Sequence, residues 1–94
     1  MNLITLTFEI HEEDIDLMIQ RLSALTRSFH EEAMDLSLYQ SSSERKRFTM
    51  MIHTDKTADD IALFIQMHPE ARSFFESVKD STGRMVLSFL ERRI

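Results

Sequence analysis

Residues 33–53 read AMDLSLYQ, then SSSERKR, then FTMMIH. Over Ala33 to Gln40, Met34, Leu36 and Leu38 fall on one side, and Asp35, Ser37 and Tyr39 on the other. Phe48, Met50 and Ile52 then alternate with Thr49, Met51 and His53. A period of two is that of a pleated strand, because successive side chains point to opposite faces. Ser41 to Lys46 form a polar turn between the runs, so the stretch predicts a β-hairpin. One face of the hairpin is uniformly apolar and the other is mixed.

Working outward, Asn2 to Ile10 alternates in the same way, with Ile4, Leu6, Phe8 and Ile10 on the apolar side. The pattern then changes period. Ile15, Met18, Ile19, Leu22, Leu25 and Phe29 form one stripe on a helix of about four turns. Glu12, Glu13 and Asp14 fall in its first turn, and Arg27 and His30 lie near its end, the favourable sense for the helix dipole. A second helix starts near Thr57, where Thr57-Ala58-Asp59-Asp60 has the form of a capping box. Ile61, Phe64, Ile65 and His68 share a face. Pro69 removes a backbone donor, so a kink or a fresh helical turn is expected there. Ala71, Phe74, Phe75 and Val78 continue the apolar face, with Leu22 and Phe74 central in the two stripes. Gly83 is placed to end the helix, and Arg84 to Leu90 reads as a last strand with Met85, Leu87 and Phe89 on its apolar side.

The order is β-α-β-β-α-β in one domain, residues 1–94. It predicts a ferredoxin-like α+β fold: a four-stranded antiparallel sheet with two helices on one face. The chain has no cysteine, which excludes a disulfide framework and thiol chemistry. Its 16 acidic against 11 basic residues give a net charge of −5, the wrong sign for a phosphate-backbone partner. The open face has Thr5, Thr7, Thr49 and Met51 where an RNA-reading sheet carries aromatics, so no nucleic acid is expected. No apolar run approaches the roughly 20 residues of a membrane span, and Met1 to Ile10 lacks the pattern of a signal peptide. A cytoplasmic protein with no membrane partner is the expectation.

The helices leave one face uncovered: Leu3, Thr5, Thr7, Asp35, Ser37, Tyr39, Thr49, Met51, His53, Val86, Ser88 and Leu90. Leu3, Tyr39, Met51, Val86 and Leu90 would form an exposed apolar patch on a monomer. A second copy covering that patch gives a twofold homodimer. Its cavities would be lined by Thr, Ser, Asp, Tyr and His. Tyr39, His53 and Asp35 are the candidate acid–base residues, since a histidine beside a carboxylate can act as general base near neutral pH. His68, before Pro69, is expected to close a helical segment by bonding a free carbonyl. His11 and His30 are expected to face solvent. No set of His and carboxylates has metal-ligand spacing, so no metal is expected.

The Leu36-Ser37-Leu38-Tyr39 strand and the break His68-Pro69-Glu70-Ala71-Arg72-Ser73-Phe74-Phe75, in this element order, resemble the antibiotic-biosynthesis-monooxygenase-like domains. Pro69 and Phe74 match the family's interrupted second helix. Glu70 falls where the family often has histidine, and His68 where it has serine. The resemblance implies a dimeric α+β barrel and a cavity for a polyphenol, quinol or haem, worked on without a bound metal or flavin. The family's cavity often uses Trp, Asn and Tyr or His; this chain has no Trp, and its only Asn is Asn2. The expected ligand contacts are Ser37 and Met51 on the open face, with His68 and Phe64 at the helix break. Two readings follow: a cofactor-independent monooxygenase-like enzyme that oxidises a small aromatic or quinol-like molecule, or a non-catalytic homodimer that binds a small ligand or acts as a regulatory module.

Overall fold

The structure, a computed structural model, describes residues 1–82 and 85–94, with side-chain surroundings for all of these but 80–82 and 85. Strand β1 (Asn2–Glu9) leads through a 3-10 turn (Glu12–Asp14) into helix α1 (Ile15–Glu31). The hairpin β2 (Asp35–Gln40) and β3 (Arg47–Thr54) follows, then α2 (Ala58–Met67), α3 (Pro69–Thr82) and β4 (Met85–Glu91). The sheet order is β2-β3-β1-β4, and every neighbouring pair is antiparallel. This is the ferredoxin-like α+β fold, with its second helix divided in two at Pro69.

The apolar sides of β1 and β3 meet α1 and α3 and form the core. Ile4, Leu6, Phe8, Phe48, Met50 and Ile52 are buried beneath Met18, Leu22, Leu25, Phe29, Phe74 and Val78. Phe29 and Phe64 meet edge to face at 5.1 Å, tying α1 to α2. Leu22 and Phe74 are buried as the stripes predict.

Cover does not reach everything on that side. Ile19, Leu87 and Phe89 belong to the predicted core face, yet they are 40%, 52% and 53% exposed, and Leu38 is half-buried. Periodicity places a side chain on a face; it does not say how far the neighbouring layer extends. Edge strands β2 and β4 lie at the margins of that layer.

The helix ends show how the local chemistry works. Thr57 accepts the amide of Asp60 through its hydroxyl at 3.2 Å, so the predicted cap forms. Glu12, Glu13 and Asp14 form a separate 3-10 turn before α1 instead of its first turn. At the C-terminus of α1, Ala33 stands at φ 59°. Met34 N–H donates to the Phe29 carbonyl at 2.9 Å and Ala33 N–H to that of His30 at 3.0 Å, a Schellman motif that turns the chain into β2. His68 ends α2 through its backbone, its N–H donating to the Ile65 carbonyl at 3.4 Å. Its side chain does not take a carbonyl as expected: Nδ1 accepts the amide of Ala71 at 3.2 Å and caps the start of α3. The reason is Pro69. It occupies the first helical position, where its missing N–H does no harm, and it leaves the Ala71 donor for the residue before it. The predicted helix stop at Gly83 and strand start at Arg84 lie outside the described residues, as does the side chain of Met85.

Candidate functional site

Strand register arranges the uncovered face in rows. Asp35 stands beside His53, His53 beside Leu3, and Leu3 beside Leu90. The next row is Ser37, Met51, Thr5 and Ser88. The third is Tyr39, Thr49, Thr7 and Val86. Alternation in all four strands therefore brings the predicted open-face residues onto one surface.

The rows separate the candidates. Asp35 and His53 are cross-strand neighbours, but no side-chain hydrogen bond links them among the described residues. Tyr39 lies four residues from Asp35 along β2, about 13 Å away at strand rise. Its neighbour is Thr49, whose hydroxyl meets that of Thr7 at 3.1 Å. Ser37 and Met51 occupy the row between, both half-buried. Tyr39, Val86 and Leu90 are 57%, 61% and 49% exposed, so this face carries a run of wet apolar surface.

His53 borders two depressions. One, about 340 Å³, includes Leu3, Leu90, Glu91 and Arg92. The other, about 560 Å³, includes His30, Asp35, Thr54 and Asp55. The terminal ammonium of Met1 sits 3.4 Å from the Asp55 carboxylate at the same end. The sequence does not single out Asp55, and it places His30 only as a solvent-facing residue at the end of a helix; they reach this end because α1 and β3 terminate together. Thr54, the buried polar residue there, donates to the Ala33 carbonyl at 3.0 Å and accepts from the Lys56 amide at 3.1 Å. It fastens the end of β3 to the start of β2. Among the described residues no three His, Cys, Asp or Glu groups converge as a metal site.

His68 and Phe64 lie elsewhere. Their rings are 5.4 Å apart in the helical layer, on the opposite side of the sheet from Tyr39 and His53. Phe64 packs against the core, and the Nδ1 of His68 is committed to its cap. No helix among the described residues is long and apolar enough to cross a membrane.

The fold and the open face define a class: a ferredoxin-like α+β domain that leaves one side of its sheet uncovered. Solved structures of proteins provisionally named antibiotic biosynthesis monooxygenases share this fold. That from Deinococcus radiodurans superposes with a TM-score of 0.79 over 100% of this chain and 94% of its own, at 12% identity. That from Nitrosomonas europaea gives 0.80 over 97% and 88%, at 13% identity. An uncharacterized NIPSNAP domain protein from Burkholderia xenovorans gives 0.69 over 99% and 95%, at 11% identity. The fold is therefore the antibiotic-biosynthesis-monooxygenase-like one, and it is shared by proteins with other names. No family model matches the sequence, and no curated protein does.

Proposed function

We propose that the chain acts as a homodimer, two sheets packed open face to open face, holding a small aromatic or quinol-like molecule between them. The observation that carries this reading is the composition of the rows. Leu3, Met51, Val86, Leu90 and Tyr39 interleave with Thr5, Thr7, Ser37, Thr49 and Ser88, and the formal charges of this face stand at strand ends: Asp35 on β2, with Glu9 of β1 and Arg47 of β3 paired at 3.0 Å. A face meeting only water carries more charge than this. A mixed apolar and hydroxyl lining suits a neutral ring with polar substituents. The structural likeness to proteins named monooxygenases supports oxidation as the chemistry. In that reaction His53 accepts the phenolic proton, Asp35 faces the resulting imidazolium, and dioxygen takes the electrons, converting a quinol to a quinone with release of hydrogen peroxide.

A second reading has its own support. Tyr39 stands two rows from His53, and Asp35 does not hold His53 by a hydrogen bond. A non-catalytic, ligand-binding homodimer needs no such alignment.

Sedimentation at micromolar concentration tests the dimer. The natural sequence is expected to run as a dimer and Met51→Asp as a folded monomer, since an unpaired charge at the centre of the contact is strongly unfavourable. A monomeric natural protein, or a dimeric Met51→Asp, removes the proposal. Oxygen uptake with hydroquinone separates the readings. His53→Asn lowers it by roughly 100-fold or more if His53 is the base. No uptake by a dimeric natural protein leaves the non-catalytic reading.

A further inference from the structure

At the margin of the helical layer a groove of about 400 Å³ runs between α1 and edge strand β2, with Ser37 of the open face also on its border. Ile19, Ser23 and Thr26 border it from the helix, Leu38 and Gln40 from the strand, with Phe48 at its floor. Ile19 and Leu38 carry the core periodicity, yet both remain partly open, and both border this slot. The core is thus incomplete here, with apolar surface arranged as two walls.

The lining contains no charged residue. The depressions beside His53 include Asp35, Asp55, Glu91 and Arg92. The one at the α1–α3 junction includes Arg21 and Glu70, and the one at the start of α2 includes Lys56 and Arg93. An ionised ligand entering the α1–β2 groove would lose water and find no counter-charge. Neutral polar groups are present. The Thr26 hydroxyl donates to the Ser23 carbonyl at 2.7 Å and keeps its lone pairs. The Gln40 amide nitrogen donates to the Arg45 carbonyl at 2.8 Å, and its oxygen has no partner among the described residues. Both can accept from a ligand donor. From Ile19 to Thr26 the helix rises about 10 Å, the length of two fused rings. The volume lies within the usual range of small-molecule pockets, about 300–1,000 Å³.

We propose that the α1–β2 groove binds a small, uncharged, largely apolar ring molecule that carries one hydroxyl or amine donor. The proposal stands on the groove alone and does not depend on the open-face reading.

A pair of fluorescent dyes tests it. N-phenyl-1-naphthylamine is neutral and carries one N–H donor; 1-anilinonaphthalene-8-sulfonate has the same ring frame with an added sulfonate. The neutral dye is expected to brighten saturably at one dye per chain, and the sulfonate to bind at least about tenfold more weakly. Ser23→Phe fills the slot, and Ile19→Asp puts a charge on its wall. Each lowers affinity for the neutral dye by at least about tenfold, while Leu63→Ser on the exposed side of α2 leaves it unchanged. Both altered groove residues are exposed, and circular dichroism checks the fold; should Ser23→Phe misfold, Ile19→Asp decides. Absence of saturable binding, equal binding of the two dyes, or unchanged affinity in folded groove variants overturns the proposal. So does loss of binding in Leu63→Ser. Dye uptake that falls as protein concentration rises also overturns it, by marking the groove as a contact between copies.

Discussion

On the helix side of the sheet, the central and edge strands carry the same alternating code, and only the central pair is fully covered. Ile4, Leu6 and Phe8 on β1, with Phe48, Met50 and Ile52 on β3, are each 4% exposed or less. On the edges cover gives out part-way: Leu36 of β2 is 9% exposed and belongs to the core, while Leu38 is half-open and Leu87 and Phe89 expose about half their surface. α1 packs against β2 and α3 against β1, and Leu38, Leu87 and Phe89 project past that cover at the sheet's margins. The same apolar alternation therefore means core at the centre and available surface at the edge.

The largest expected effect would break this contrast if it failed. Leu22→Ala and Phe74→Ala should each cost about 2–5 kcal/mol, because each opens a cavity where the packing cannot close. Leu87→Ala and Phe89→Ala should cost about 1 kcal/mol or less, because roughly half of each side chain is already in water. Denaturant midpoints measure all four. An edge residue as costly as Phe74 would mean that β4 is covered on its helix side by something beyond this chain's own helices.

The same contrast marks what the sequence makes legible. Both period changes are local signals, and they yield four strands, the helices and the break at Pro69. The open-face set is legible too, because alternation needs no tertiary information. Register is not. Whether Tyr39 or Asp35 stands beside His53 depends on how the six-residue loop at 41–46 sets the hairpin. That loop is fixed by bonds the pattern does not reveal: the Ser41 hydroxyl accepts the amides of Ser43 and Glu44, and the Ser41 amide reaches the Arg47 carbonyl. Nor does periodicity show that Ile19 borders a groove, since the position of β2 relative to α1 is a matter of packing.

At the margin of the helical layer a smaller effect sharpens the comparison. His68→Ala removes the group that accepts the Ala71 amide, and loss of such a cap costs about 1 kcal/mol. His68→Asn supplies an oxygen suited to the same donor and should restore most of that stability. Equal melting temperatures for His68→Ala and the natural protein would mean that water satisfies the amide. An Asn variant no better than Ala would shift the role of His68 to its ring contact with Phe64.

The smallest expected effect has the opposite sign. Ala33 sits at φ 59° in the turn from α1 into β2, a conformation that brings the Cβ of an L-residue too close to the following carbonyl oxygen. That strain costs roughly 1–2 kcal/mol. It is held in place by the Schellman hydrogen bonds and by Phe29 and Met34, both fully buried on either side of the turn. Glycine has no Cβ, so Ala33→Gly relieves the strain, while its freer unfolded chain takes back about 0.4–1 kcal/mol. The balance predicts a gain of about 0.5–1 kcal/mol, read as a higher denaturant midpoint with an unchanged slope. A core position offers no such gain, because truncation there leaves a hole. A destabilised Ala33→Gly would show that the methyl group packs well enough to outweigh its strain, and would place this turn with the close-packed centre instead of the margin.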